Sequence, residues 1–258
     1  MPWSTRKTEA IVITSLPFRE ADRRYSAITP YNGKISFLGR GAQKSKAKLA
    51  SHLEPFALVD LEIVQGRRST TVISVERKER FIGIEQNVQK RLLATAACQV
   101  VDAHTREDDV DEELFREMYT WFRFLHETCD MSETRSTFLL GAFFSRFLSG
   151  LGYTTELDEC IQCREAISPL SFRWHALRGG LVCSSCAEED PREWSTAVQM
   201  SEDSVKLLRC MREVSYADLL SVSLSGEVLG EASKALNDMA VFHLPVEMPV
   251  PFWGGVTT

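Results

Sequence analysis

The apolar positions of this chain change period near residue 85, and that change divides it. Upstream, apolar residues fall in short β-branched or aromatic runs at 9–14, 24–29, 34–38, 56–64 and 69–75. Such runs predict strands, because branched and aromatic side chains pack well on a pleated surface. Pro30-Tyr31-Asn32-Gly33 supplies a turn between the second and third, and Gln65-Gly66-Arg67-Arg68 has the brevity and the glycine of a hairpin connection. Five short strands with an insertion at 39–49 after the third suit a small β-barrel of the OB type. Downstream, Val88, Leu92, Leu93, Ala96, Ala97, Val100 and Val101 recur at helical steps. Residues 111–128 repeat the pattern with Leu114, Met118, Trp121, Phe122 and Leu125, and 134–151 is apolar nearly all round, as the centre of a helical core should be. Residues 201–214, capped by Ser201, then 217–222 and 227–243 read as further helices, and the Pro-rich stretch 245–253 as extended chain. The reading is an α+β chain: a five-stranded barrel domain over 1–80 and an all-α domain over 81–258 with an inserted module at 158–189.

Composition leaves this division intact. The 258 residues, 44% apolar and 26% charged, suit one large or two modest globular domains. No apolar run reaches the roughly eighteen residues of a membrane helix, and Met1-Pro2-Trp3-Ser4-Thr5-Arg6-Lys7 offers no export signal, so a reduced cytoplasm is expected. Charge adds more, because the net −6 conceals an asymmetry. Residues 1–80 hold fifteen Lys and Arg against eight Asp and Glu, a balance of +7, and the remainder carries −13. A basic third in an acidic protein can bind a polyanion locally.

Two Cys-x-x-Cys pairs, Cys160/Cys163 and Cys183/Cys186, stand nineteen residues apart, a spacing that lets four thiolates close around one tetrahedral zinc. Arg178-Gly179-Gly180-Leu181 provides the return turn between the knuckles. Disulfides would need an oxidising compartment, and neither pair opens a helix after a buried strand as a thioredoxin-like site would. Cys98, Cys129 and Cys210 have no metal-spaced partner and are expected to be buried free thiols.

The basic third presents Arg19, Arg23 and Arg24 around the second strand, Lys34 at the start of the third, and Arg40, Lys44, Lys46 and Lys48 just after it. Tyr25, Tyr31 and Phe37 are interleaved with them. Phosphate contacts combined with base stacking are what an OB-type groove uses to hold nucleic acid without reading its sequence. The plainer reading, a solvated basic face over a barrel whose aromatics pack the core, stays open at this point.

Catalysis finds little support. The chain has no Walker A segment, no Gly-x-Gly-x-x-Gly, no His-Glu-x-x-His and no Gly-x-Ser-x-Gly, and His52, His104, His126, His175 and His243 are scattered. A four-thiolate shell has no open position for substrate. The acidic run 107–113 reads as a solvated loop and the first turn of a helix, although Asp108, Asp109 and Asp111 leave a metal-dependent nuclease as one alternative. A zinc-ribbon assembly factor that binds only protein is another.

The order of short motifs carries a resemblance. Thr8-Glu9-Ala10-Ile11-Val12-Ile13, Phe18-Arg19-Glu20-Ala21-Asp22-Arg23, Gly33-Lys34-Ile35, Gly39-Arg40-Gly41-Ala42-Gln43-Lys44 and His52-Leu53-Glu54-Pro55-Phe56 follow one another. Leu139-Leu140-Gly141-Ala142-Phe143-Phe144, Leu148-Ser149-Gly150-Leu151-Gly152-Tyr153 and both knuckles come next. Together they resemble the bacterial RecO family of DNA repair and recombination mediators over most of the chain. The resemblance implies an N-terminal OB-fold, a helical domain with a zinc module, and non-catalytic work on DNA in the bacterial cytoplasm at the nucleoid. It implies binding of single- and double-stranded DNA, annealing of complementary strands, and action with RecR to help RecA displace single-strand binding protein, whose C-terminal tail the family contacts. The Pro-rich end after Phe242-His243-Leu244 departs from the basic helix and Leu- and Phe-containing tail usual there.

Overall fold

Five strands form the first layer: β1 (Ser4–Phe18), β2 (Asp22–Thr29), β3 (Gly33–Gly39), β4 (Leu58–Gln65) and β5 (Thr70–Glu79). In the computed structural model, which describes residues 4–44, 49–67, 69–169 and 171–244, they close into a barrel in the order β1-β2-β3-β5-β4. Closure explains why β1 is longer than its apolar run predicts. Its first half pairs with β4 and its second half with β2, so it needs both lengths and bends at an irregularity between Val12 and Thr14. The inward residues Ala10, Val12, Tyr25, Ala27, Ile35, Phe37, Val59, Leu61, Ile63 and Val72 fill the barrel. Removing them from water is the main force holding it closed.

Three helices follow: α1 (Ile82–Gln86), α2 (Val88–His104) and α3 (Glu112–Glu127). Asn87 caps α2 by accepting from the Lys90 N–H, and Asp111 caps α3 by accepting from the Leu114 N–H. Helices α2 and α3 lie against β1, so Ile11 and Ile13 are buried although they point away from the barrel interior. The compact unit therefore runs from 1 to 129, and a second unit runs from 130 to 258. The expected division at residue 80 marks the last strand; the compact division falls later, because the first helices pack on the barrel.

The second unit is built on α4 (Glu133–Gly150), with Phe138, Leu139, Ala142, Phe143, Phe144 and Leu148 buried. Its cations are used internally. Arg135 donates to the carbonyls of Leu219 (2.7 Å) and Val222 (2.7 Å), which end the short α7 (Tyr216–Leu219). Arg146 donates to the Met211 carbonyl (3.1 Å) and lies over the Tyr216 ring. Helices α6 (Glu202–Glu213) and α8 (Gly226–His243) pack against α4 and against each other, and Ser201 caps α6 as its sequence predicts. Between α4 and α6 lie a three-stranded sheet of β6 (Phe172–His175), β7 (Gly180–Cys183) and β8 (Val198–Gln199), and the helix α5 (Ser184–Glu189). No helix among the described residues is long and apolar enough to cross a membrane. The Pro-rich stretch from 245 onward lies outside the described residues.

A candidate nucleic-acid interface and a four-cysteine centre

The turn joining β1 to β2 begins at Arg19, whose φ of 56° puts it in the left-handed region. The chain leaving β3 is fastened to that turn. Gln43 Nε2 donates to the carbonyls of Arg19 (3.0 Å) and Asp22 (2.6 Å), the Gln43 N–H to the carbonyl of Ala21 (2.9 Å), and the Gly41 N–H to Asp22 Oδ1 (2.8 Å). Gly39 has to be glycine, since a Cβ there would stand 2.8 Å from the Tyr25 ring. These bonds bring the Arg19 turn and the Arg40–Lys44 stretch, separate in sequence, to one end of the barrel.

Arg24 and Arg19 are exposed and place their guanidinium groups 4.8 and 5.1 Å from the centre of the Phe18 ring. Such contacts hold a cation in place without neutralising it. Arg40 and Lys44 are exposed beside them. Among the described residues none of these four has a carboxylate partner within ion-pair distance. Elsewhere on the barrel Lys7 pairs with Glu62, Lys78 with Glu9 at 2.5 Å, and Arg80 with Glu85. Thus, although Arg6 and Arg67 elsewhere on the barrel also have no carboxylate partner among the described residues, four cations without one are gathered where the two loops meet. Arg23 is half-buried there and braces β1, donating to Ser15 Oγ (2.8 Å) and the Ser15 carbonyl (3.0 Å).

Two of the residues expected to meet nucleic acid do other work. Phe37 is 2% exposed and stacks on Tyr25 inside the barrel at 5.5 Å, so neither ring can receive a base. Phe37→Leu is expected to cost about 1 kcal/mol of stability and to leave DNA affinity unchanged; chemical denaturation and a binding titration on one preparation check both. Lys34 points outward from β3 but is covered by α2, where its Nζ donates to the Asp102 carbonyl at 2.5 Å and lies 3.3 Å from Asp102 Oδ1. Its side chain is 11% exposed, and it serves the last turn of α2, where a cation meets unpaired carbonyls. Lys46 and Lys48 lie outside the described residues. Phe18, Asp22 and Gln43 were not among the expected site residues; the only signal for them was their place inside the motifs that carry the family resemblance.

The acidic run is structural. Asp111 is the cap of α3, and the Asp108 N–H donates to the Lys34 carbonyl at 3.0 Å. Among the described residues the carboxylates of Asp108, Asp109 and Asp111 do not form a convergent metal-ligand group, whereas the four cysteines do.

Their sulfurs all lie within 4.8 Å of one another, and Cys163 and Cys183 are 3.9 Å apart. A tetrahedron of sulfurs about 2.3 Å from zinc has edges of about 3.8 Å, so the four side chains fit such an ion. The first knuckle turns at Arg164, φ 64°, whose N–H returns to the Cys160 carbonyl at 2.9 Å. In the second, Cys183 ends the buried β7 and is the N-cap of α5, its sulfur accepting from the Cys186 N–H at 3.5 Å; contrary to expectation this pair does open a helix after a buried strand, but its sulfurs lie with those of the first pair in one group of four. The predicted return turn is present, with Gly179 at φ 63° between β6 and β7. A Cβ on Gly180 would stand 2.4 Å from Ile161 Cγ2, so this glycine lets the second knuckle lie close to the first.

Electrostatics favours a cation among these thiols. Burial pushes the Cys160 thiol up, but N–H groups of Cys183, Cys163 and Gln162 outweigh it and bring it down to about 6. Its neighbour Cys186 is pushed up to about 12, first by its hydrogen bond to Cys183 and then by burial. One thiolate is welcome in this cage, and four require a metal ion. Around it Val182, Ala187 and Trp194 form a small core, and Arg209 holds Asp158 at 3.0 Å, tying α6 to the start of the module. His175 is buried against Trp194, with Nδ1 accepting from the Arg178 N–H and Nε2 3.0 Å from the Thr196 hydroxyl, so it takes no part as a ligand. Of the remaining cysteines only Cys98 is buried as expected; Cys210 is half-buried and Cys129 is exposed.

The sequence matches two family models, described as Recombination protein O N terminal over residues 1–81 and Recombination protein O C terminal over residues 86–249. Among similar proteins, one from Dehalococcoides mccartyi is 26% identical over 96% of this chain and 94% of its own length. One from Syntrophus aciditrophicus is 29% identical over 93% and 91%. Both carry the name DNA repair protein RecO. Two adjoining matches that account for the barrel, the helices and the cysteine module show that the chain belongs to the RecO family.

Proposed function

We propose that the chain is a non-catalytic mediator of DNA repair and homologous recombination that holds single- and double-stranded DNA on the cationic end of its barrel. The observation that supports this reading is the gathering of charge: the Gln43 bonds hold the two loops together, and the exposed Arg19, Arg24, Arg40 and Lys44 on or beside them have no carboxylate partner among the described residues, whereas Lys7, Lys78 and Arg80 do. Unpaired cations at one surface displace the counterions of a phosphate backbone, which gives affinity without sequence preference. The same screening lowers the repulsion between two strands and allows complementary ones to anneal, with no covalent step and no nucleotide.

The relatives' name supports repair as the setting. In this reading the protein works with RecR to help load RecA on DNA coated with single-strand binding protein, contacts the C-terminal tail of that protein, and acts in the bacterial cytoplasm at the nucleoid. The four cysteines hold one structural zinc, with every coordination position taken by the protein.

The test is a titration of single-stranded DNA across salt concentrations. Combining Arg24→Ala, Arg40→Ala and Lys44→Ala is expected to weaken binding roughly 10- to 100-fold at low salt and to reduce the slope of log K against log salt by about 2, near 0.7 for each phosphate that is no longer neutralised. Lys7→Ala with Lys78→Ala should change neither. Equal effects of the two sets, or no binding by the folded wild type, would move the function away from this surface.

A further inference from the structure

The barrel wall beside the cationic end carries exposed apolar side chains. Leu16 pairs with Arg24 across β1 and β2, and Arg24 with Leu38 across β2 and β3, so the three form one row with Arg24 at its centre. The row faces outward, because Tyr25 and Phe37 at the alternate positions fill the barrel. Leu16 is 58% exposed and Leu38 is half-buried. Where β3 meets β5, Leu38 stands opposite Thr71. Just beyond, the pairing of β5 with β4 passes from Val72 to Ser74 and skips Ile73, which is 50% exposed. A residue left out of a ladder in this way has its side chain re-aimed out of the regular pleat.

Single apolar side chains are ordinary on a protein surface. These differ in their company. Arg24 stands within the row, exposed and without a carboxylate partner among the described residues, and Arg19, Arg40 and Lys44 lie at the same end of the barrel. A protein docking on Leu16 and Leu38 would have to desolvate the Arg24 guanidinium, which is costly unless that partner brings an anion to the middle of its own apolar patch. A duplex brings phosphates but keeps its base faces stacked on one another. A single strand brings both, an apolar base face and an anionic phosphate in every nucleotide.

We propose that Leu16, Leu38 and Ile73 form a platform for the unpaired bases of single-stranded DNA, and that this platform makes the surface favour single strands over duplex. The inference rests on the reading of the barrel end as a DNA surface and adds to it a source of discrimination. Phosphates engage Arg19, Arg40 and Lys44 in either form of DNA. Only unstacked bases can lay their faces on the aliphatic row and remove both surfaces from water. The two contributions separate in salt. Phosphate contacts set the slope of log K against log salt, whereas the apolar contact changes affinity by the same factor at every salt concentration.

The experiment titrates a mixed-sequence single strand, its duplex and an abasic strand of equal length across salt concentrations. The proteins are wild type, Leu16→Gln with Ile73→Gln, and Leu16→Met with Ile73→Met. The glutamine variant should bind the single strand about tenfold more weakly at every salt concentration with an unchanged slope. It should bind the duplex as wild type does and melt at the wild-type temperature, because both positions are exposed. The methionine variant keeps the apolar surface and should bind as wild type does. Wild type should bind the abasic strand about tenfold more weakly than the strand with bases, and the glutamine variant should lose nothing further on it. If the glutamine variant is poorly folded, the abasic comparison on wild type carries the test, and equal affinity for the two strands would overturn the inference. Wild-type affinity of the glutamine variant for the single strand, equal losses on single strand and duplex, or a loss that appears only as a changed slope would also overturn it and leave the cationic surface standing. Failure of wild type to bind either DNA would remove the underlying reading itself. If an acidic peptide lost its binding to the glutamine variant while oligonucleotide binding was untouched, the row would belong to a protein partner instead.

Discussion

Cys183→Ser combined with Cys186→Ser is expected to empty the metal site and unfold the cysteine module while the barrel keeps its affinity for DNA. Cys183 would have two duties, as ligand in the proposed zinc site and as the cap of α5, and Cys186 is buried in the small core with Val182 and Trp194. That core is small for holding the segment alone, so in the proposed reading its folding draws on metal binding. Structural zinc contributes an apparent 10–16 kcal/mol or so in isolated fingers at neutral pH, and losing half of the thiolates forfeits most of it. Metal content by mass spectrometry should fall from one equivalent to none. Thermal melting should show the second unit destabilised, and the wild type should follow the same course when a strong chelator is added. A double variant that retained its metal, or that folded normally and failed only to bind DNA, would refute this division of labour.

Gly33→Ala should be the most damaging single methyl group in the first unit. Gly33 has φ 62°, and a Cβ there would lie 1.9 Å from the Asp109 carbonyl oxygen, 2.4 Å from its carbon and 2.9 Å from its nitrogen. All three are backbone atoms and cannot rotate away. The segment they belong to is fixed in turn by the Asp108 N–H to Lys34 carbonyl bond and the Lys34–Glu107 bridge. A left-handed alanine costs about 1–2 kcal/mol, and forcing the loop outward adds about 1–3 kcal/mol. Gly41→Ala is the matched control: its φ is 66°, but the nearest atom to an added Cβ is the flexible Lys44 Cδ at 3.7 Å, so it should cost only the backbone part. Urea denaturation of the two variants side by side measures the difference. If they were equally stable, the loop at Asp109 would not be held rigidly against β3.

Both predictions turn on features of different legibility. The knuckles were visible because ligand spacing is local: two residues between sulfurs fix a turn, and the returning hairpin needed only Gly179 and Gly180. The strands and the helical faces were visible for the same reason, since periods of two and of 3.6 are properties of neighbouring residues. Even the caps Ser201 and Asp111 could be read as helix starts. The Gln43 staple was not legible, because nothing in its own neighbourhood says that its amide will meet the carbonyls of Arg19 and Asp22 more than twenty residues away.

Arg24 and Lys34 show where local pattern stops. Alternation puts Lys34, Ser36 and Leu38 on one face of β3, and the pairing of Arg24 with Leu38 puts Arg24 on that same outward face. Both were therefore equal candidates for phosphate. Alternation also separates Lys34 from Phe37, and it leaves open which side of the sheet is the interior until the barrel closes. The sequence by itself determined the strand and helix order, the charge asymmetry and the four-thiol centre. Only the tertiary structure decided which outward cations stay in water, because α2 folds back over the Lys34 end of the barrel and leaves the Arg24 end bare, and that choice is made by contacts far apart in the chain.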